Sequence, residues 1–293
     1  MDSRLLRHFL AVAEHSSFTR AAERLQLAQP AVSMSIAKLE KSLGVTLFQR
    51  RDRTIALTDE GRALVHHARN VIQALDDAQR EMADIKGLQQ GEVRIGIPSM
   101  LGSYYFPPLL MAFRHRYPKL KMKIVEGGTW QLQQMLEAGE IDLSVIVDDG
   151  TLSGLETLQI LKEQMLVTVA EDHPFAQQKE GIRAEEFFAE ELVMFREGYF
   201  HRRIVDRLAM DLNVQPNIAF ETNLIPLIKS VVRQGFGIST LMDMVIDPED
   251  QIATRPFNPP IWLDLKIAWR RGSYLTKANQ AFIDFMLEQK RPD

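Results

Sequence analysis

The chain has 293 residues, 45% of them hydrophobic and 25% charged, with a formal net charge of −4 and no cysteine. That balance is ordinary for a globular chain, and the missing cysteines exclude disulfide frameworks, thiolate nucleophiles and zinc–thiolate sites. The start MDSRLLRHFLAVAEHS is polar every few residues and lacks a signal-peptide core, and no uninterrupted apolar run could span a membrane, so a cytoplasmic protein is expected.

Ser17 is placed to cap a helix running to Leu25, with Ala21, Ala22 and Leu25 on one face. Gln26, Leu27 and Ala28 make a tight connector. Pro30 follows where a first-turn proline is tolerated, because that N–H has no helical partner. Val32, Ile36, Leu39 and Leu43 recur at spacings of four, three and four, an apolar stripe that Gly44 is placed to end. Two helices around a tight turn form a helix-turn-helix, which lays its second helix in the major groove of DNA and reads bases with that helix's first residues. Gln29, Ser33 and Met34 are the candidate readers, with Lys38 on an outer face.

The next segment separates this from a helical hairpin with a solvated face. TLFQR, RDR and TIALT read as two short strands around a charged tip. Leu47, Ile55 and Leu57 would face inward, with Arg50, Arg51 and Arg53 at or near the tip, suited to phosphates or the minor groove. Residues 1–58 hold nine Lys/Arg and five Asp/Glu, a local charge of 9 − 5 = +4, which leaves −4 − 4 = −8 for residues 59–293. Positive charge is therefore concentrated on the candidate DNA reader, and the acidic remainder opposes indiscriminate nucleic-acid binding.

Thr58 opens a long helix, with Asp59 and Glu60 at its positive end. Leu64, Ala68, Val71, Leu75, Ala78, Met82 and Ile85 alternate spacings of four and three, a heptad seam expected to pair two copies into a homodimer. His66 and His67 are adjacent on this helix and point apart, a poor metal pair.

The runs LLRHFLAVAEHSSFTRAAERL, AQPAVSMSIAKLEKSLGVTLFQR and IALTDEG resemble the LysR-type transcriptional regulators. By that resemblance Gln29, Pro30 and Ser33 lie at the DNA, the long helix is a dimerisation linker, and dimers assemble further into a homotetramer. The chain departs from the family at Met34 and Ser35, where relatives often carry a basic or amide-bearing pair. Met34 can touch a thymine methyl or pack, but makes no bidentate bond to a base.

After a hinge at LQQG, strands and helices alternate to the end of the chain, which predicts a mostly parallel, doubly wound α/β sheet. About 200 residues suit two lobes, and the family resemblance implies an effector domain like type 2 periplasmic binding proteins. The expected divisions are a winged helix-turn-helix over 1–58, a linker helix over 59–88 and an effector domain over 89–293. Within it, lobe one takes about 92–161 and 266–293, and lobe two about 162–265.

Ligands of such domains bind outside the carboxyl ends of the strands. Ser99, Thr129 and Thr222 sit at those ends, Arg196 could clamp a carboxylate, and Met100, Phe195 and Tyr199 could wall the site, as could Tyr104 and Phe236. A small anion is the expected effector. The competing class is an enzyme acting on a small metabolite in the same cleft. Against it, the chain has no G-x-G-x-x-G, P-loop, G-x-S-x-G or H-E-x-x-H motif. Asp142, Asp148 and Asp149 read as strand and turn residues, and no cofactor is expected. The resulting expectation is a regulator that binds double-stranded DNA at an interrupted inverted repeat, under the control of a small-molecule effector.

Overall fold

A computed structural model describes residues 2–51, 54–85, 91–148 and 154–289. The chain divides into two units, residues 1–86 and 87–293.

The first unit contains α1 (Ser3–His15), α2 (Phe18–Leu25), α3 (Gln29–Leu43), the hairpin β1 (Phe48–Arg51) and β2 (Thr54–Leu57), and α4 (Asp59–Ile85). Local chemistry sets most of these boundaries. The Ser17 hydroxyl accepts the Arg20 amide at 3.3 Å, and Gly44 closes α3 in the left-handed region at φ 71°. The Thr58 hydroxyl accepts the Gly61 amide at 3.0 Å and donates to the Thr46 carbonyl at 2.7 Å, so one side chain caps α4 and ties it to the chain before β1. Leu6, Phe9, Val12, Ala21, Val32, Ile36, Leu39 and Leu47 are buried in one core. The Phe48 ring closes that core against Phe9 and Phe18, at 5.4 and 5.9 Å between centroids. Leu43, expected to extend the stripe of α3, is exposed, because the core ends at Leu39.

The seam of α4 is split. Its first part packs inward: Ala68 is buried in the core of this unit, Leu64 and Ile72 pack against it, and Arg7 on α1 pairs with Asp76 at 2.6 Å. Val71, Leu75 and Met82 are exposed.

The second unit opens with β3 (Glu92–Pro98), α5 (Ser99–Tyr104), α6 (Phe106–Arg116), β4 (Lys121–Gly127), α7 (Thr129–Glu137) and β5 (Leu143–Val147). There follow β6 (Leu155–Ala170), α8 (Ala184–Phe187), β7 (Leu192–Met194), α9 (Phe200–Leu212), β8 (Ile218–Glu221), α10 (Ile225–Arg233), β9 (Ser239–Met242), β10 (Ile252–Arg270) and α11 (Lys277–Glu288). The main sheet has the order β4-β3-β5-β10-β6-β9, and β7 and β8 form a second, parallel pair.

One expectation is corrected here. The sheet is mixed rather than mostly parallel: β3 pairs parallel with β4 and β5, whereas β10 runs antiparallel to both β5 and β6, and β6 antiparallel to β9. LETLQIL and QMLVTVA are one strand of 16 residues, and LDLKIAW belongs to a strand of 19. These two strands pair from Ile252↔Ala170 to Arg270↔Leu155 and run through both lobes, with a register shift between Pro256 and Ile261. In lobe one, Phe113 of α6 packs on Phe282 and Phe285 of α11, at 5.0 and 5.4 Å. Leu132 and Leu136 of α7 fill a smaller core with Ile141, Ile146 and Ala268. In lobe two, Val205 of α9 and Ile228 and Val232 of α10 are buried with β7 and β9.

Gly61 is held by contact rather than by conformation. A Cβ built there would lie 2.2 Å from the Leu47 carbonyl oxygen, a backbone atom with no room to yield. Gly61→Ala is therefore expected to destabilise the first unit by about 1–3 kcal/mol, in the range of overpacking costs. Urea unfolding of the two proteins measures it, and an unchanged midpoint would refute the close approach.

Candidate DNA interface and interlobe ligand site

At the start of α3 the Gln29 side-chain amide donates to the Ser33 hydroxyl at 2.8 Å. The bond spans one helical turn and holds the amide to the helix surface. Pro30, Met34 and Lys38 are exposed, Met34 at 71%, and Ser33 is half-buried. The buried face of α3 is Val32, Ile36 and Leu39, and Gln29, Pro30, Ser33 and Met34 lie off that face in its first two turns. In the hairpin, Arg50 pairs with Ile55 and Arg51 with Thr54 through the backbone, and Arg53 lies outside the described residues.

The carboxyl ends of β3 and β4 run directly into α5 and α7, as expected. Thr129 is the first residue of α7 and is buried. Its hydroxyl donates to the carbonyl of Gly198 in lobe two at 3.4 Å, and the Trp130 amide donates to the same oxygen at 3.4 Å. Gly128 completes the contact: a Cβ there would lie 2.7 Å from that oxygen. Gly198 itself has φ +86°, a backbone conformation suited to glycine. The two lobes are therefore latched through one carbonyl seated at the N-terminus of α7.

Beside the latch lies a cavity of about 200 Å³. Thr129 and the end of β5, Val147 and Asp148, line it from lobe one. Phe200, Arg203, Ile204 and Arg207 of α9 line it from lobe two, and Ile261, Trp262 and Leu263 from the crossing strand β10. Lys266 donates to the Asp148 carboxylate. Asp142 is held at 2.6 and 3.0 Å by Arg94, away from any cation role, and Asp149 lies outside the described residues.

Of the seven expected effector contacts, Thr129 lines this cavity. Ser99 is half-buried at the start of α5. Met100, in the first turn of α5, and Phe195, just after β7, are 3% exposed and belong to the core. Phe195 stacks on Tyr199 at 6.3 Å. Tyr199 caps α9, and the Thr222 hydroxyl accepts the Leu224 amide at 3.2 Å within its own turn. Arg196 is exposed, with its backbone amide bonded to Asn223 at 3.0 Å. Tyr104 packs against the core and Phe236 is exposed. Sequence reasoning missed Arg203, Arg207 and Trp262. The spacing of four between the two arginines puts them on one helix face, the signal that could have found them.

An arginine clamp supports this site from behind. Arg202, 13% exposed, binds Asp206 at 2.8 Å, Glu221 at 2.7 Å and the Phe195 carbonyl at 3.4 Å, joining β7, β8 and α9 beneath the loop that carries Gly198. His201 is fully buried, its Nδ1 3.0 Å from the Thr240 hydroxyl. Burial pushes its imidazole down to about 3.

A helix-turn-helix head joined to a two-lobed α/β domain with an interlobe cavity defines a ligand-responsive DNA-binding regulator. Residues 3–62 match the model for bacterial regulatory helix-turn-helix proteins of the lysR family, and residues 86–291 match the LysR substrate binding domain. The chain belongs to the LysR family of transcriptional regulators. It is 33% identical to the uncharacterised HTH-type transcriptional regulator YwbI of Bacillus subtilis, over 97% of this chain and 95% of that one. It is 30% identical to the RuBisCO operon transcriptional regulator of Allochromatium vinosum, over 98% and 95%. Among solved structures, full-length OxyR from Pseudomonas aeruginosa superposes with a TM-score of 0.72 at 26% identity, covering 98% of this chain and 94% of that one. These relatives are regulators, and the chain is a regulator rather than an enzyme.

Two outcomes are expected. Gly128→Ala should displace the Gly198 carbonyl and raise the hydrogen-exchange rate of the Trp130 amide; unaltered exchange would show that the lobes are not latched there. His201 is neutral when folded and takes up a proton near pH 6.5 when unfolded. Its contribution is thus complete above about pH 6.5 and falls by roughly 1.4 kcal/mol per unit as pH drops towards 3. Urea titrations at pH 7, 6 and 5 should show this acid slope, and His201→Gln should flatten it; parallel slopes in the two proteins would contradict it.

Proposed function

We propose that this LysR-family regulator reads an interrupted inverted repeat in double-stranded DNA through Gln29, Pro30, Ser33 and Met34. Lys38, Arg50, Arg51 and Arg53 hold phosphates. The supporting observation is the start of α3, where Ser33, one turn on, orients the amide of the exposed Gln29. Two heads are presented together because Val71, Leu75 and Met82 leave an apolar stripe on α4 for a second copy. Further assembly into a homotetramer follows the family pattern, and the site of action is the cytoplasm.

On the same proposal, the effector is a small anion bound between the lobes. Loading the cavity competes for Thr129, changes the lobe arrangement, and alters the spacing of the paired heads. The effector has to bind the two arrangements with different affinity for this to work. On the same reading Ser99, Arg196, Tyr199 and Thr222, which follow strand ends, would add contacts to the effector, with Met100 and Phe195 as apolar support behind them.

Selection of the full-length protein on random duplexes tests the reading, with an enriched inverted repeat as the expected result. Gln29→Ala should lose about 1–3 kcal/mol of discrimination at one base pair of each half-site. Arg53→Ala should lower affinity on all sequences and reduce the salt slope by about one. Equal losses on operator and random DNA for Gln29→Ala would remove Gln29 as a reader.

A further inference from the structure

The outer face of α3 is apolar where a DNA-reading helix meets base edges. Val32, Ile36 and Leu39 form its buried face. At roughly 100° per residue, Met34 lies about 165° round the helix axis from the middle of that face, and Pro30 about 150°. Both are exposed, Met34 at 71%, and so is Ala37, three residues beyond Met34. Ser33 lies only about 90° round. With Glu40 it lines a cavity of about 190 Å³ shared with Phe48 and Gln49 of the hairpin. The Gln29 amide is held to this shoulder by its bond to Ser33. The crest of the helix is thus left to Pro30 and Met34, and the exposed Lys38 and Lys41 follow one and two turns after Met34.

We propose that Pro30 and Met34 form a methyl-reading ridge, with the Met34 thioether against the C5-methyl group of one thymine in each half-site. This deepens the proposed DNA reading and rests on α3 lying in the major groove. Three features select the target. Pro30, Met34 and Ala37 bring no side-chain N–H, O–H or C=O group to the crest, and the thymine methyl is the apolar group that base pairs display in the major groove. Against a guanine or cytosine edge the same side chains would strip water from donors and acceptors without replacing it, which disfavours those pairs. The unbranched Met chain adapts to a small apolar partner that a branched, stiffer residue would have to meet in one rotamer. Lys38 and Lys41 supply the charge complementarity that keeps this crest in the groove, within a head of charge 9 − 5 = +4 over residues 1–58. The contact is to the methyl and not to a donor or acceptor of the base, so 5-methylcytosine presents the same group.

The test uses the full-length protein and the inverted repeat enriched by selection on random duplexes. Each thymine is replaced in turn by deoxyuridine, which removes the methyl alone. One thymine per half-site is expected to lose about fourfold in affinity, the worth of one buried methyl, and both together on the order of fifteenfold. In Met34→Ala, thymine and deoxyuridine at that position should bind equally, whereas Met34→Leu should keep the difference. With cytosine and 5-methylcytosine placed there, the unaltered protein should prefer the methylated base by a similar factor and Met34→Ala should not. Met34 is exposed, so both variants should keep the thermal midpoint of the unaltered protein. Deoxyuridine tolerated at every thymine, or a deoxyuridine penalty that persists in Met34→Ala, overturns the methyl contact and leaves the DNA reading standing. Failure to enrich any repeat rejects the DNA reading, and the methyl contact with it.

Discussion

The effector domain hangs on one antiparallel ladder, β6 with β10. It carries the chain from lobe one into lobe two and back, from Leu155↔Arg270 to Ala170↔Ile252. Every other strand of the main sheet attaches to it: β5, with β3 and β4 beyond, on the lobe-one half, and β9 on the lobe-two half. The ladder is interrupted between Pro256 and Ile261, and the three β10 residues that line the cavity, Ile261 to Leu263, follow at once. The cavity thus lies where the lobes are joined by strands whose pairing is locally broken.

The head follows a different constraint. A unit of some 85 residues buries little core, and α4 supplies part of it through Ala68, Leu64 and Ile72. The long helix is therefore integral to the head along one face of its first half and leaves Val71, Leu75 and Met82 exposed. Its rotation about α1 is fixed by packing and by the Arg7–Asp76 pair. A copy bound along the exposed stripe would therefore be set relative to the reading helix by rigid contacts.

What could be read from the amino-acid sequence follows the range of the interactions. Ser17, Gly44 and Thr58 act within a few residues of themselves, and their helix ends were legible for that reason. The stripe of α3 was legible as far as Leu39, but where the core stops short of Leu43 depends on the neighbouring elements. The antiparallel crossing was not legible: Leu155 and Arg270 pair across more than a hundred residues, and strand–helix alternation alone favours parallel sheets. Thr129 could be found because helix starts are readable. Its partner, the Gly198 carbonyl, is a backbone atom with no signature of its own. Met100 and Phe195 show the limit at such positions, because an apolar residue near a strand end reads the same in sequence whether it lines a cleft or plugs the core. Arg203 and Arg207 look in sequence like the solvated face of a helix.

The latch is also of a suitable strength for a switch. A neutral hydrogen bond of ordinary quality contributes about 0.5–1.5 kcal/mol net, and one to an ionised group about 1.5–3. The Thr129–Gly198 contact, at 3.4 Å, belongs at the weak end of the first range. Exchanging it for a contact to the proposed anionic effector on one subunit is then worth on the order of 1 kcal/mol, the low end of typical allosteric couplings. Alone that shifts an equilibrium about fivefold. In the proposed homodimer two latches act on one arrangement of the heads, and on the order of 2 kcal/mol in total gives a shift of roughly thirtyfold. A much stronger latch would hold the lobes closed against a small effector, and a much weaker one would leave nothing for the effector to change.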